Sequence, residues 1–284
     1  MLRHLLADAW SWQSSGGVDF LALPLAVGSS SAYAYFSSRI GGVSEPPYDQ
    51  LNLSWSVGDD AENVEMNRRR FAGALGLAVD AIIWLRQVHS DQAVIIDSLP
   101  FRYSYTYTGG EVLVGDALIT DQEGTGLCTS HADCVPVYVV DPVRHVGAMI
   151  HAGWRGTVAG IVEKTLAAMA ARWGSEPKDC IAAIGPSIGP CCYQVGAEVV
   201  SALAKNVPSP VKAFDKAAAK NQSSDRYSLD LKLIIAGILQ FYGLEPDRII
   251  QSRLCTSCLP EWFYSHRRDK GKTGRMAAVL VLGT

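Results

Sequence analysis

Long apolar runs are missing from this sequence, and their absence removes whole classes of protein. Nothing in it approaches the roughly 18 consecutive apolar residues of a membrane-spanning helix, so no transmembrane protein of that kind is expected. Charge of one sign is missing as well. With 25 Lys and Arg against 28 Asp and Glu, the formal net charge is −3, which leaves no electrostatic footprint for nucleic acid or an anionic membrane. No G-x-G-x-x-G follows an apolar strand and no G-x-x-x-x-G-K-[ST] loop occurs, so the common phosphate-cradling signatures are excluded. Histidine is scarce. There are six in 284 residues, no two of them separated by one position, whereas a multicopper oxidase needs many, commonly paired as H-x-H. The zinc nucleobase deaminases carry H-x-E together with P-C-x-x-C, and neither string is present.

The opening "MLRHLLADAWSWQ" has neither the apolar segment nor the small-residue cleavage site of a secretory signal. Seven cysteines are scattered through the chain. An odd number in a protein of this size suits free thiols or metal ligands in a reducing cytoplasm better than a disulfide framework. A cytoplasmic location is expected. No heptad and no long exposed apolar stripe is visible, so the expected state is a monomer.

What is present is apolar and periodic. At 48% hydrophobic residues, the chain can bury one large core or two ordinary ones. No repeat, low-complexity stretch or linker divides it. Nine strand-like runs stand out: "AYAYF", "IIWL", "AVIID", "DALIT", "VPVYVV", "HVGAMI", "IAAIG", "RIIQS" and "MAAVLVLG". Four helical patterns lie among them. "DDAENVEMNRRRFAGALG" opens on Asp59 and Asp60 as caps and stops at Gly76; "TVAGIVEKTLAAMAARWG" runs from Thr157 to Gly174. "GAEVVSALAK" and "LDLKLIIAGILQFYG" supply the others. The irregular alternation reads as a mixed domain of helices and strands, not a doubly wound sheet or a barrel. Residues 98–110 and 204–228 are polar and punctuated, and read as surface excursions.

Three unusual residues sit where apolar strands begin or end, the places where loops converge and functional groups collect. His89 follows "IIWL", Cys134 precedes "VPVYVV", and His151 follows "HVGAMI". Two imidazoles and a thiolate can fill three positions of a tetrahedral zinc site, leaving the fourth for water or substrate. The candidates are 45 and 17 positions apart, so no local spacing supports them. A core cysteine with two hydrogen-bonded histidines remains the alternative. His131 stands three positions before Cys134; on an extended chain the two would face opposite sides, which argues against a shared metal. His4 and His145 read as surface residues. Cys255 and Cys258 form a C-x-x-C with no second pair in sequence to complete a four-ligand site, and Cys191 and Cys192 form a vicinal pair in a turn. All four read as free thiols.

Several motifs in fixed order then resemble the laccase-domain, or polyphenol oxidase, family. They are "SRIGGVSEPPYDQLNLSWSVGDD", "NRRR", "QVHSD", "DALITDQEGTGLCTSHADCVPVYVVDP", "HAGWRGTVAGIVEK", "AAIGPSIGPCCYQVG" and "FYSHRRDKGKTGRM". The resemblance covers residues 33–284, with 1–32 as an N-terminal extension outside it, and it implies one domain over 1–284. The implied fold is α+β: a four-layer α/β/β/α sandwich with mixed sheets. The resemblance also implies a zinc-dependent purine nucleoside phosphorylase acting on adenosine, inosine and methylthioadenosine, with adenosine deaminase activity. Copper-dependent polyphenol oxidation and a role in peptidoglycan editing attach to the family as alternatives. The family's metal-binding His, Cys and His fall on His89, Cys134 and His151. His131 and the long stretch "SYTYTGGEVLVG" depart from the family pattern.

On that reading "HAGWRG" gains a chemical sense. His151 would be a neutral metal ligand, and zinc, or copper in its place, would be the cofactor. Gly153 and Gly156 would let the backbone turn and approach closely, and Thr157 would cap the following helix. Arg155 would hold phosphate, and Trp154 would stack on a purine or fill the core. Arg39, Asn52 and Arg275 lie in family motifs and are the expected contacts to substrate. A rival reading uses the same residues as a cysteine amide hydrolase, with Cys134 and His89 or His151 as a thiolate–imidazole pair and a carboxylate from "HAD" or "GDALIT" to orient it. A third is a stapled, non-catalytic protein.

Overall fold

A strand that is apolar on both faces must be covered on both, and this chain has many of them. The computed structural model describes residues 9–25, 31–97, 112–208, 217–220 and 225–283. Within these, the strands are β1 (Ser11–Ser15), β2 (Val18–Pro24), β3 (Ala32–Ser37), β4 (Ile82–Trp84), β5 (Ala93–Ile96), β6 (Ala117–Thr120), β7 (Gly126–His131) and β8 (Val135–Asp141). They continue with β9 (Val146–Ala152), β10 (Ile181–Ile184), β11 (Gln194–Val195), β12 (Ala218–Lys220), β13 (Tyr227–Leu229), β14 (Ile249–Gln251) and β15 (Met276–Leu282). The helices are α1 (Ala61–Ala74), α2 (Trp154–Ala159), α3 (Ile161–Trp173), α4 (Ala197–Asn206) and α5 (Leu231–Phe241).

Two six-stranded sheets run in the orders β1-β2-β3-β15-β7-β4 and β14-β10-β8-β9-β6-β5, with a small third sheet β11-β13-β12. Both large sheets are mixed: β4 pairs parallel to β7, β5 to β6, and β10 to β14, while the other neighbours are antiparallel. The period-2 alternation of β15 shows how they stack. Ala278, Leu280 and Leu282 enter the core between the sheets with Tyr138, Met149 and Leu118 of the second sheet. Ala277, Val279 and Val281 turn the other way, toward Phe71 and Ala72 of α1. On the far side of the second sheet, Val137, Val139, Ala148 and Ile150 meet α3, α4 and α5 through Leu166, Leu203 and Ile234. The result is the expected α/β/β/α sandwich. Each fully buried aliphatic side chain here is worth about 1.5–3 kcal/mol.

Local signals explain the helix boundaries, with two differences from expectation. Asp60 is the N-cap of α1, its carboxylate accepting from the N–H groups of Glu62 and Asn63 at 2.9 and 3.2 Å. Asp59 instead takes Ser44 Oγ and Asn52 Nδ2 at 2.7 and 2.8 Å. The single helix expected from Thr157 to Gly174 is two helices, because Gly160 adopts φ +87° and breaks it. The first begins at Trp154 on Gly153, so Thr157 lies inside α2 and donates to Gly153 O at 2.9 Å instead of capping. The N-terminal extension contributes β1 and β2 to the first sheet, where Val18, Leu21 and Leu23 are buried. Part of the 204–228 excursion forms β12 and β13; the 98–110 excursion and His4 lie outside the described residues.

Candidate active site

The register of two hairpins builds the site. In the β8–β9 pair, Val135 lies opposite Ala152 and Pro136 opposite His151, which brings Cys134, one position earlier, to the level of Gly153. In the β6–β9 pair, Ala117 lies opposite Ile150, so Asp116 stands beside His151. The loop after β4 carries His89 to the same end. The side-chain donor atoms of His89, Cys134 and His151 all lie within 4.8 Å of one another, and the two imidazole centroids are 5.0 Å apart.

Asp116 organises this group. Its carboxylate accepts the backbone N–H groups of Val88, His89 and Ser90 at 3.3, 3.1 and 2.6 Å, and Ser90 Oγ at 2.8 Å. It also meets His151 Nδ1 at 2.9 Å. These bonds hold His89 at φ +57°, a left-handed conformation that a histidine does not adopt freely. Burial alone would raise the Asp116 carboxyl, but the bonds to His151 and Ser90 outweigh it and bring it down to about 2. For His151, burial opposes the charged ring, yet Cys134 and Asp116 overcome that and raise it to about 9. Burial and the neighbouring His151 lower His89.

Gly153 leaves the space that the donors need. A Cβ there would sit 3.0 Å from Cys134 Sγ and 3.1 Å from His89 Nδ1. The need is for room, not for an unusual dihedral, since Gly153 has φ −78°. Asp133 presents Cys134 from φ +90°. It is anchored by Thr256 Oγ1 at 2.7 Å, Ser265 Oγ at 3.0 Å and the Arg267 N–H at 2.7 Å. His131 is buried close by, its ring centroid 5.2 Å from that of His151. Both its nitrogens are engaged, Nε2 with Thr129 Oγ1 at 2.7 Å and Nδ1 with the Cys134 carbonyl at 3.0 Å. It steadies the Cys134 backbone and has no nitrogen free for a metal.

A cavity of about 370 Å³ opens over the trio. Its wall is strongly basic, with Arg86, Arg155, Arg267 and Arg275. The Arg155 guanidinium lies over the Trp154 ring, 4.3 Å from its centroid. Arg275 donates through Nη1 to the carbonyls of Thr273 and Gly274 at 2.9 Å each. Arg39 and Asn52 are placed differently. Arg39 donates to Asp49 and to the Pro260 carbonyl, outside the cavity lining. Asn52 is fully buried, and its Oδ1 accepts from the Arg275 N–H at 2.9 Å, so it stands behind Arg275. Arg86, Arg267, Tyr193 and His266 line the cavity without having been singled out in sequence. The doubled arginine in "SHRR" was the available signal for Arg267; Asp116 is the carboxylate of "GDALIT" that the hydrolase reading offered as an orienting group, and it stands just before a wholly buried strand.

The donor set fits a metal ion. One thiolate and two imidazoles converge, and His151 has its Nδ1 held by a carboxylate, which leaves Nε2 for the ion, the usual support of a metal-bound histidine. Fold and site together define a double-sheet sandwich with a cluster of three candidate metal donors at one end of its strands, under a basic cavity. Residues 33–283 match the family described as multi-copper polyphenol oxidoreductase laccase, and the chain belongs to that family. It is 35% identical over 277 residues to a protein of Geobacillus stearothermophilus named purine nucleoside phosphorylase YlmD, covering 97% of each. It is 36% identical over 246 residues to purine nucleoside phosphorylase YfiH of Escherichia coli, covering 87% of this chain and 92% of that one. The crystal structure of YlmD from Geobacillus stearothermophilus superposes with a TM-score of 0.84 at 32% identity, over 98% of this chain and all of that one.

Proposed function

We propose that this chain is a zinc-dependent purine nucleoside phosphorylase acting on adenosine, inosine and methylthioadenosine, with adenosine deamination as a further activity. The observation that carries this reading is the meeting, in one cavity, of a His–Cys–His donor set and a wall of arginines. Relatives named for the same reaction support it. In phosphorolysis a phosphate oxygen attacks the anomeric carbon of ribose, the C–N bond breaks, and the purine leaves with that bond's electron pair and takes up a proton. Arg155 and Arg275 hold the phosphate, their fixed forks suiting a bidentate oxyanion. Asn52 positions Arg275 through its backbone, and Trp154 offers a face to the purine. His89, Cys134 and His151 hold the ion, which supplies Lewis acidity at an open position when bound. Asp116 keeps His151 oriented with its Nδ1 occupied. Two imidazoles and one thiolate with a fourth position left open form a set that catalytic zinc sites use, and because the same donors also accept copper, metal analysis of the purified protein decides between the two ions.

Purified protein incubated with adenosine, with and without phosphate, tests the reading when products are separated before and after chelation and for Cys134→Ala. Adenine and ribose-1-phosphate should appear only with phosphate and be lost in the variant. Inosine formed without phosphate would report the deaminase. The line Asp116–His151–Cys134 also has the parts of a thiolate–imidazolium pair with an orienting carboxylate. If no nucleoside is turned over and chelation speeds a thiol-directed probe at Cys134, that amide-hydrolase reading replaces the phosphorylase.

A further inference from the structure

Two cysteine pairs that look unrelated in sequence meet in the fold. Cys191 and Cys192 lie in a turn closed by the N–H groups of Cys192 and Tyr193 on the Gly189 carbonyl, at 3.0 and 2.9 Å. Cys255 and Cys258 close a second turn, the Cys258 N–H donating to the Cys255 carbonyl at 3.2 Å. A parallel bridge between Ser187 and Cys255 sets the turns side by side, with the Thr256 N–H on the Ser187 carbonyl at 3.1 Å. The C-x-x-C that has no partner in sequence thus finds one in space.

The four Sγ atoms all lie within 4.8 Å of one another. Cys258 Sγ is 3.5 Å from Cys191 Sγ and 3.3 Å from Cys192 Sγ. All four are free thiols. Sulfurs at the corners of a tetrahedron around an ion, each about 2.3 Å from it, stand roughly 3.8 Å apart. The two separations to Cys258 lie a little under that value, and all four sulfurs stay within 4.8 Å of one another. Cys191 and Cys258 are exposed, so packing does not explain the gathering. The Gly189 N–H donates to Cys255 Sγ at 3.2 Å, a bond that favours the thiolate. Gly189 also has little space for a side chain, since a Cβ there would lie 3.3 Å from Cys191 Sγ and 3.4 Å from Cys255 Cβ.

We propose that Cys191, Cys192, Cys255 and Cys258 bind one zinc ion as a closed tetrathiolate site, separate from the His89–Cys134–His151 centre. Four soft donors with no carboxylate among them select a soft or borderline tetrahedral ion over a hard one. With four protein ligands and no open position, the site is structural. Its placement gives the staple a purpose. The fastened segment carries Ile188 and Tyr193 into the cavity wall, and the other turn carries Thr256, which holds Asp133 beside Cys134. The Ile188 N–H donates to the Asp133 carbonyl at 3.0 Å, closing the link between staple and site.

The test uses Cys134→Ala in the full chain, which breaks the first centre and leaves all four proposed ligands intact. Metal analysis of the purified variant should find one zinc per chain, and cobalt exchanged into it should show the intense charge-transfer absorption of four thiolates. The complementary double variant Cys255→Ser/Cys258→Ser should also hold one ion, with the weaker spectrum of a single thiolate. A Cys134→Ala protein that holds no metal, or a resident metal other than zinc, would overturn the proposal. So would a native mass showing Cys258 joined by a disulfide to Cys191 or Cys192.

Discussion

Asp116 carries more of the site than its position before a strand suggests, because one carboxylate sets the conformation of two of the proposed ligands at once. It accepts three consecutive backbone N–H groups from the His89 loop and fixes the ring of His151. Replacing it by asparagine keeps the shape but removes the charge and half of the acceptor capacity. Metal affinity at the His–Cys–His centre should fall about 10–100-fold, the usual cost of losing such a supporting carboxylate. Competition against a chromophoric chelator measures it, with melting temperature as the control for folding; unchanged affinity would show that Asp116 does not act on the ion. Gly153 makes a sterically independent case. In Gly153→Ala the new methyl presses on Cys134 Sγ at 3.0 Å and His89 Nδ1 at 3.1 Å. A backbone at φ −78° accepts alanine without strain. Metal affinity and turnover should therefore drop while the unfolding midpoint hardly moves. Equal losses in both would assign Gly153 to folding and not to the centre.

At the scale of elements, the break between α2 and α3 leaves Trp154 and Arg155, both in the cavity wall, on a short helix of their own. Gly160 makes it with φ +87°, and an alanine there carries a left-handed penalty of about 1–2 kcal/mol. Its Cβ would also displace the flexible Glu163 side chain. Gly160→Ala should lower stability by that amount in urea denaturation and raise the KM for phosphate; a more stable protein would mean that one continuous helix is tolerated. The sequence hides this break because "TVAGIVEKTLAAMAARWG" keeps its apolar period across the glycine, and a lone glycine in a helical pattern does not reveal the sign of φ. Other elements were legible for physical reasons. The runs "VPVYVV" and "MAAVLVLG" are buried on both faces and rich in β-branched residues. By contrast β1, "SWQSS", is polar and largely exposed, and β7, "GLCTSH", is buried but owes its burial to its neighbours β4 and β15. His89, Cys134 and His151 were legible as a set because all three flank apolar strands. Of their supporting shell, the carboxylate of "GDALIT" was named as an orienting group in the hydrolase reading and is Asp116 beside His151. Its hold on the His89 loop, by contrast, comes from strand register, and Asn52, expected at the substrate, works only through Arg275.

The whole molecule buries ionisable groups in each of its layers, and this shapes its response to pH. Cys180 lies in the core between the second sheet and its helices. Burial, with Asp141 and Asp179 near it, raises its thiol from 9.0 to about 12. Burial likewise raises the Cys128 thiol on the α1 side and the Tyr138 hydroxyl between the sheets. In the unfolded chain the thiols ionise near 9, while in the native state they keep their protons to higher pH. Above that point the native state binds more protons than the unfolded state, so stability falls as pH rises. The contribution is complete below about 9 and is lost through the window that ends near 12 for Cys180. Urea midpoints measured on either side of pH 9 should show this alkaline decline. Cys180→Ala removes one of the contributing protons, so its stability should start lower, for the small cavity left behind, and decline less steeply. The slope is the readout that separates titration from packing. A variant with a lower midpoint but the same slope would assign Cys180 a purely volumetric role and place the alkaline sensitivity in Cys128 of the first sheet and Tyr138 of the second.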